Sequence, residues 1–123
     1  MNKERIRELA AFILDCKLTF EFNGTEVDEH GCGTAGCSAG HAALLWPDVR
    51  QPADEYGNYT WAHRLLAEKL GITMVQHDEL FWRPMYDDGT ECTMEVITKE
   101  DAAWTLRRFV DTGETHYDDP IAD

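Results

Sequence analysis

The sequence predicts a mainly α, α+β fold: about four helices and one or two short β-hairpins in a single compact domain. Three observations predict it. Apolar residues recur at helical spacing in four stretches, alternation of period two is confined to two short runs, and capping signals mark several helix ends. At 123 residues the chain has the size of one domain. Residues 1–113 are expected to form the helical body, and residues 114–123 an acidic, loose tail.

Ile6, Leu9, Ala10, Ile13 and Cys16 predict a first amphipathic helix over residues 3–16, with Asn2 as its N-cap. The period then changes. Leu18, Phe20 and Phe22 alternate with Thr19 and Glu21, and Asn23-Gly24 leads into Thr25, Glu26 and Val27. Asn-Gly between alternating residues predicts a hairpin, because both turn positions need positive φ. Thr34 is the expected cap of a second helix reaching about Leu45, rich in small residues (Gly36, Ala39, Gly40, Ala43) and ended by Pro47. Its helix propensity is poor, so packing must hold it.

A polar loop follows. Asn58 or Thr60 is then expected to cap a third helix to about Leu70, closed by Gly71. Residues 75–82 predict a short helical turn. Asp87-Asp88-Gly89-Thr90 predicts a turn between strands at about 82–86 and 91–97, the first confined to an edge by Pro84. Thr98-Lys99-Glu100-Asp101 predicts a capping box for the last helix, whose stripe is Ala102, Ala103, Leu106, Phe109 and Val110, with Trp104 on the flank and Gly113 at the end.

The net charge of −13, from 24 acidic and 11 basic side chains, repels phosphate backbones and anionic membranes. Direct nucleic-acid binding is disfavoured and a basic protein partner favoured, against the simpler reading of a solubilising surface. No apolar run approaches the roughly 20 residues of a membrane span, and the charged N-terminus lacks a signal-peptide pattern. The expectation is a cytoplasmic protein with reduced cysteines.

Four zinc-type ligands crowd one segment: His30, Cys32, Cys37 and His41. Cys37 and His41 are four apart and so share a helix face, and zinc takes thiolate and imidazole together. The spacing matches neither C-x₂-C nor H-x₃₋₅-H. The same residues admit a second reading, a thiol enzyme in which a helix N-terminus lowers the Cys37 thiol pKa and His41 or His30 is the base. They also admit a plain one, in which cysteine packs as a small hydrophobe. Asp87, Asp88 and Glu91 read as a solvated turn, since they fit no EF-hand spacing. His63 and His77 read as isolated, surface or half-buried residues. Tyr56, Tyr59 and Trp82 are candidate partner-binding anchors, tyrosine and tryptophan being enriched at interface hot spots. No phosphate-binding loop, dinucleotide fingerprint or nucleophile elbow is present.

The run Cys32-Gly33-Thr34-x-x-Cys37-x-x-Gly40-His41-Ala42 resembles a family of small uncharacterised proteins found in phages and bacterial genomes. The likeness extends from about residue 4 to 117. It includes a Phe-rich segment, Leu80-Phe81, and a closing helix with Thr98, Glu100 and Ala102 that ends in Thr112-Gly113-Glu114. The resemblance implies the same order of helices and no particular activity. It implies too that the position of His41 is often aromatic in relatives, which favours a structural role for the cysteine–glycine segment. By analogy with small acidic phage proteins, some of which imitate nucleic-acid charge, the expected function is a non-enzymatic interaction protein that binds a basic partner. The alternatives are a small zinc-dependent or thiol enzyme centred on Cys32, Cys37 and His41, and a structural module of a larger assembly.

Overall fold

The first helix, α1, runs Lys3–Asp15 in the computed structural model, which describes residues 1–15, 19–20, 34–36, 38–52, 55, 61–86, 89–90 and 97–117. Asn2 caps it, its side-chain oxygen accepting the Arg5 N–H at 3.1 Å, which satisfies one of the donors a helix start leaves open. Ile6, Leu9, Ala10 and Ile13 all turn inward and are buried, as their spacing predicts.

The first β-hairpin is not seen among the described residues, outside which residues 21–27 of it lie. Thr19–Phe20 (β1) pairs in parallel with Thr34–Gly36 (β2), with an irregularity in register between the two β1 residues. A parallel pair needs a crossover, not a two-residue turn, so the partner of β1 comes from beyond the Asn23-Gly24 segment, which itself lies outside the described residues. This pairing also corrects the start of the second helix. Thr34 belongs to β2, and α2 spans Ser38–Leu45. Residues 38–43 are all buried, and their small side chains let α1 pack closely across them. Pro47–Val49 forms a 3₁₀ turn directly afterwards.

The third helix, α3 (His63–Leu70), begins later than expected, with Ala62 at its cap position and no side-chain cap. Its end is as predicted. Gly71 has a φ of 66°, its N–H reaches the Glu68 carbonyl at 3.1 Å, and the Ile72 N–H reaches the Ala67 carbonyl at 3.0 Å. Those are the two bonds of a Schellman motif, which only a residue tolerant of positive φ can form readily. A capping box that the sequence reading missed then starts α4 (Met74–His77): Gln76 N–H donates to Thr73 Oγ1 at 3.1 Å and Thr73 N–H to Gln76 Oε1 at 2.9 Å. The chain continues without a break into a π turn at Asp78–Trp82, closed by the Arg83 N–H on the Asp78 carbonyl.

This π turn takes the first residue of the predicted strand at 82–86, and the second hairpin is not seen among the described residues, outside which residues 91–96 of its other strand lie. Tyr86 instead bridges Tyr117. The Asp87–Thr90 turn signal survives in part: Gly89 has a φ of 85°, and the Tyr86 N–H donates to the Thr90 carbonyl at 2.8 Å. The last helix, α5 (Lys99–Thr112), carries the predicted capping box of Thr98 and Asp101 (3.1 and 3.2 Å) and ends at Gly113, with a φ of 78°. Tyr117 is buried, its hydroxyl donates to the Leu80 carbonyl at 2.7 Å and its N–H to the Met85 carbonyl at 2.7 Å. Residues 118–123 lie outside the described residues.

The two long helices, α1 and α5, make the most extensive contact in the fold. They run antiparallel: Lys99, at the start of α5, donates to the Leu14 carbonyl at 3.3 Å, while Arg7 and Asp111 approach to 3.8 Å at the other end. Leu106, Phe109 and Val110 of α5 meet Ile6, Leu9 and Ile13 of α1 in one core, joined by Leu66, Leu70, Leu80 and Phe81. Among the described residues no helix is long and apolar enough to cross a membrane.

Truncating Phe109 to Ala should cost about 3–5 kcal/mol through lost burial and a residual cavity. Thr98→Ala should cost only about 1 kcal/mol, the worth of one cap. Urea unfolding midpoints at equal m-value measure both, and a Phe109→Ala loss as small as that of Thr98→Ala would contradict the core assignment.

Candidate functional site

One group of described residues combines imidazole and carboxylate donors. His63 opens α3, His77 closes α4, and Asp78 starts the π turn. One ring nitrogen of each histidine and a carboxylate oxygen of Asp78 lie within 4.8 Å of one another. The local sequence explains the placement. The Thr73–Gln76 box fixes where α4 begins, which turns His77 to the interior, and the π turn then carries Asp78, Phe81 and Trp82 around the same spot. Such turns insert one residue per turn and recur at functional positions.

Aromatic rings wall the group. The His63 and His77 ring centroids are 4.9 Å apart. Trp61 stacks on His63 at 5.4 Å, Trp82 meets His63 at 4.9 Å and Trp61 at 6.4 Å, and Phe81 meets His77 at 5.4 Å. His77 is wholly buried, whereas His63 and Asp78 are partly exposed and Trp82 is 41% exposed. The group is therefore closed on the His77 side and reachable from solvent past Asp78.

Burial pushes the His77 pKa below its ordinary value, and the nearby His63 ring pushes the same way, while the hydrogen bond to Asp78 opposes both. His77 is thus a neutral imidazole near pH 7. Its Nδ1 lies 3.0 Å from Asp78 Oδ1. A carboxylate only accepts, so Nδ1 carries the proton and Nε2 keeps its lone pair. That Nε2 is buried without a hydrogen-bond partner.

The sequence had placed its candidates elsewhere. His30, Cys32 and Cys37 lie outside the described residues, as do Tyr56 and Tyr59. His41 is buried on α2, its ring 6.2 Å from that of Phe12 in an edge-on contact with α1. That position suits packing between two helices. Trp82 is exposed as expected, and it stands at the rim of the histidine group. The reading of His63 and His77 as isolated is corrected: fourteen positions apart in the chain, they are brought ring to ring by the turn between α3 and α4. The signals that pointed to them were the Thr73-x-x-Gln76 box and the His77-Asp78 dipeptide, which together place a carboxylate beside an inward-facing imidazole.

A pH dependence follows from His77. Unfolded, it titrates near the ordinary imidazole value of about 6.5; folded, it titrates lower. The unfolded chain binds more protons between those values. The stability contributed by keeping His77 neutral is therefore fully present above about pH 6.5 and is lost as pH falls through the folded value. The melting temperature of chelator-treated protein should drop over that window, and the drop should be shallower in His77→Gln. Equal slopes for the two proteins would show that His77 does not titrate as argued. Compared with known protein families, with curated proteins and with solved structures, the chain gives no match.

Proposed function

We propose that this chain is a non-enzymatic interaction protein that binds a basic protein partner through segregated negative charge. The observation that carries the reading is where the charges lie. The 24 acidic residues, against 11 basic ones, are unevenly spread along the chain, and the negative charge is concentrated in a few stretches. Residues 21–29 and 87–95 each hold four acids and no lysine or arginine, and residues 118–123 hold three acids.

Concentration along the chain favours partner binding over mere solubility, because closely spaced like charges raise the local potential that steers an oppositely charged protein. Several of the cations are also engaged at home. Arg5, Arg50 and Lys99 donate to backbone carbonyls, and Lys69 pairs with Asp48 at 2.6 Å. Exposed apolar side chains supply further contact area: Trp82, Trp104, Val75, Met74 and Leu65. An exposed aromatic contributes most where a partner desolvates it. The likeness of the Cys32–Ala42 run to small phage and bacterial proteins agrees with a host-directed interaction and adds no catalytic residue.

The test is a binding measurement with a basic protein captured on the tagged chain, repeated from low to high salt. Affinity should fall steeply as salt rises, because the Debye length shrinks from about 10 Å at 0.1 M to about 3 Å at 1 M. Neutralising Glu21, Glu26, Asp28 and Glu29 to their amides should weaken binding by about tenfold, or 1.4 kcal/mol, and flatten the salt slope. Neutralising four helical acids (Glu4, Glu8, Glu68 and Asp111) should do much less. Affinity indifferent to salt and to both quadruple variants would overturn the reading.

A further inference from the structure

We propose that His63, His77 and Asp78 form a binding site for a single zinc ion, separate from the Cys32–His41 segment and independent of the interaction reading. Three features of the site carry the inference. The donors converge: two imidazoles and a carboxylate have ligand atoms within 4.8 Å of one another. In a tetrahedral zinc site with bonds of about 2.0–2.1 Å the ligand atoms sit roughly 3.4 Å apart, a contraction that rotation of the partly exposed His63 and Asp78 side chains supplies.

The second feature is how His77 and Asp78 already face each other. His77 Nδ1 lies 3.0 Å from Asp78 Oδ1, on a ring with no exposure, close to the separation of two atoms that share one zinc ion. Zinc would take the place of the proton between them, with Nδ1 and the carboxylate as ligands and the ring proton carried on Nε2.

The third is access combined with shielding. The rings of Trp61 and Phe81 close the inner side, and the half-exposed Asp78 and Trp82 leave a path from solvent. Asp78 brings negative charge to the entrance, and the net charge of −13 adds to the attraction of a cation. Three protein ligands leave one tetrahedral position for water or for a side chain of a partner.

Cobalt(II) titration of the chelator-stripped full chain, under reducing conditions, tests the proposal. Cobalt reports its ligands: a nitrogen–oxygen site gives visible ligand-field absorption, and thiolate ligation adds an intense near-ultraviolet band. The expected result is one equivalent bound without the thiolate band, displaced by zinc, with quenching of tryptophan fluorescence from Trp61 and Trp82. Asp78→Asn should weaken binding by more than about 100-fold, the upper end of what an outer-shell change costs, and His63→Ala should abolish it. His116→Ala and the paired Cys32→Ser and Cys37→Ser changes should leave it intact. Because His77 is buried and its replacement endangers folding, His63→Ala carries the test, its fold checked by circular dichroism. No cobalt bound at millimolar concentration, binding that survives His63→Ala, or binding lost with the cysteines would each overturn the proposal.

Discussion

The antiparallel packing of α1 on α5 is the constraint from which the remaining architecture follows. These are the longest helices, they lie at opposite ends of the sequence, and neither has a second extensive apolar surface to bury. Joining Ile6, Leu9 and Ile13 to Leu106, Phe109 and Val110 closes the whole chain into one loop. Everything between must then fit around that pair. α2 does so through its small residues Ser38, Ala39, Gly40, Ala42 and Ala43, α3 by offering Leu66 and Leu70, and the π turn by offering Leu80 and Phe81. Burial at roughly 25 cal/mol per Å² of apolar area makes such a pair the largest favourable contribution the fold has available.

Cations from outside each helix complete the helix ends. Lys99 reaches the Leu14 carbonyl at the end of α1, Arg50 the Ala43 carbonyl near the end of α2, and Arg5 the Lys69 carbonyl at the end of α3. Each answers carbonyls that a helix C-terminus leaves without partners and the negative end of its dipole. Two consequences follow from one arrangement. The helices are tied to one another at their ends, and a substantial share of the few positive charges is taken up inside the scaffold. The acidic character of the protein is thus a matter of where its bases are engaged as well as of how many acids it has.

The histidine group sits where these constraints leave least freedom. His77 is driven inward by the capping box that starts α4, although imidazole is costly to bury with a nitrogen unpaired. The aromatic walls make the interior dry, which depresses the His77 pKa and keeps it neutral. A neutral imidazole facing a carboxylate and a second imidazole is a donor set that suits zinc.

Much of the helical scaffold was legible in the sequence because its signals are local. Asn2, the Thr98–Asp101 box, Gly71 and Gly113 act on backbone groups within four residues, and the apolar stripes of α1 and α5 mark their own buried faces. The π turn, the parallel pairing of Thr19–Phe20 with Thr34–Gly36, and the docking of Tyr117 were not legible. Short strands and irregular turns have no intrinsic stability, so their partners are decided by what the packed helices bring near. The candidate site divides in the same way. Sequence proximity drew attention to His30, Cys32, Cys37 and His41, and composition determined the charge and its segregation along the chain. Only the tertiary structure could join His63 to His77 and place Trp61 and Trp82 around them, because those contacts depend on the path between two helices and no local propensity encodes it.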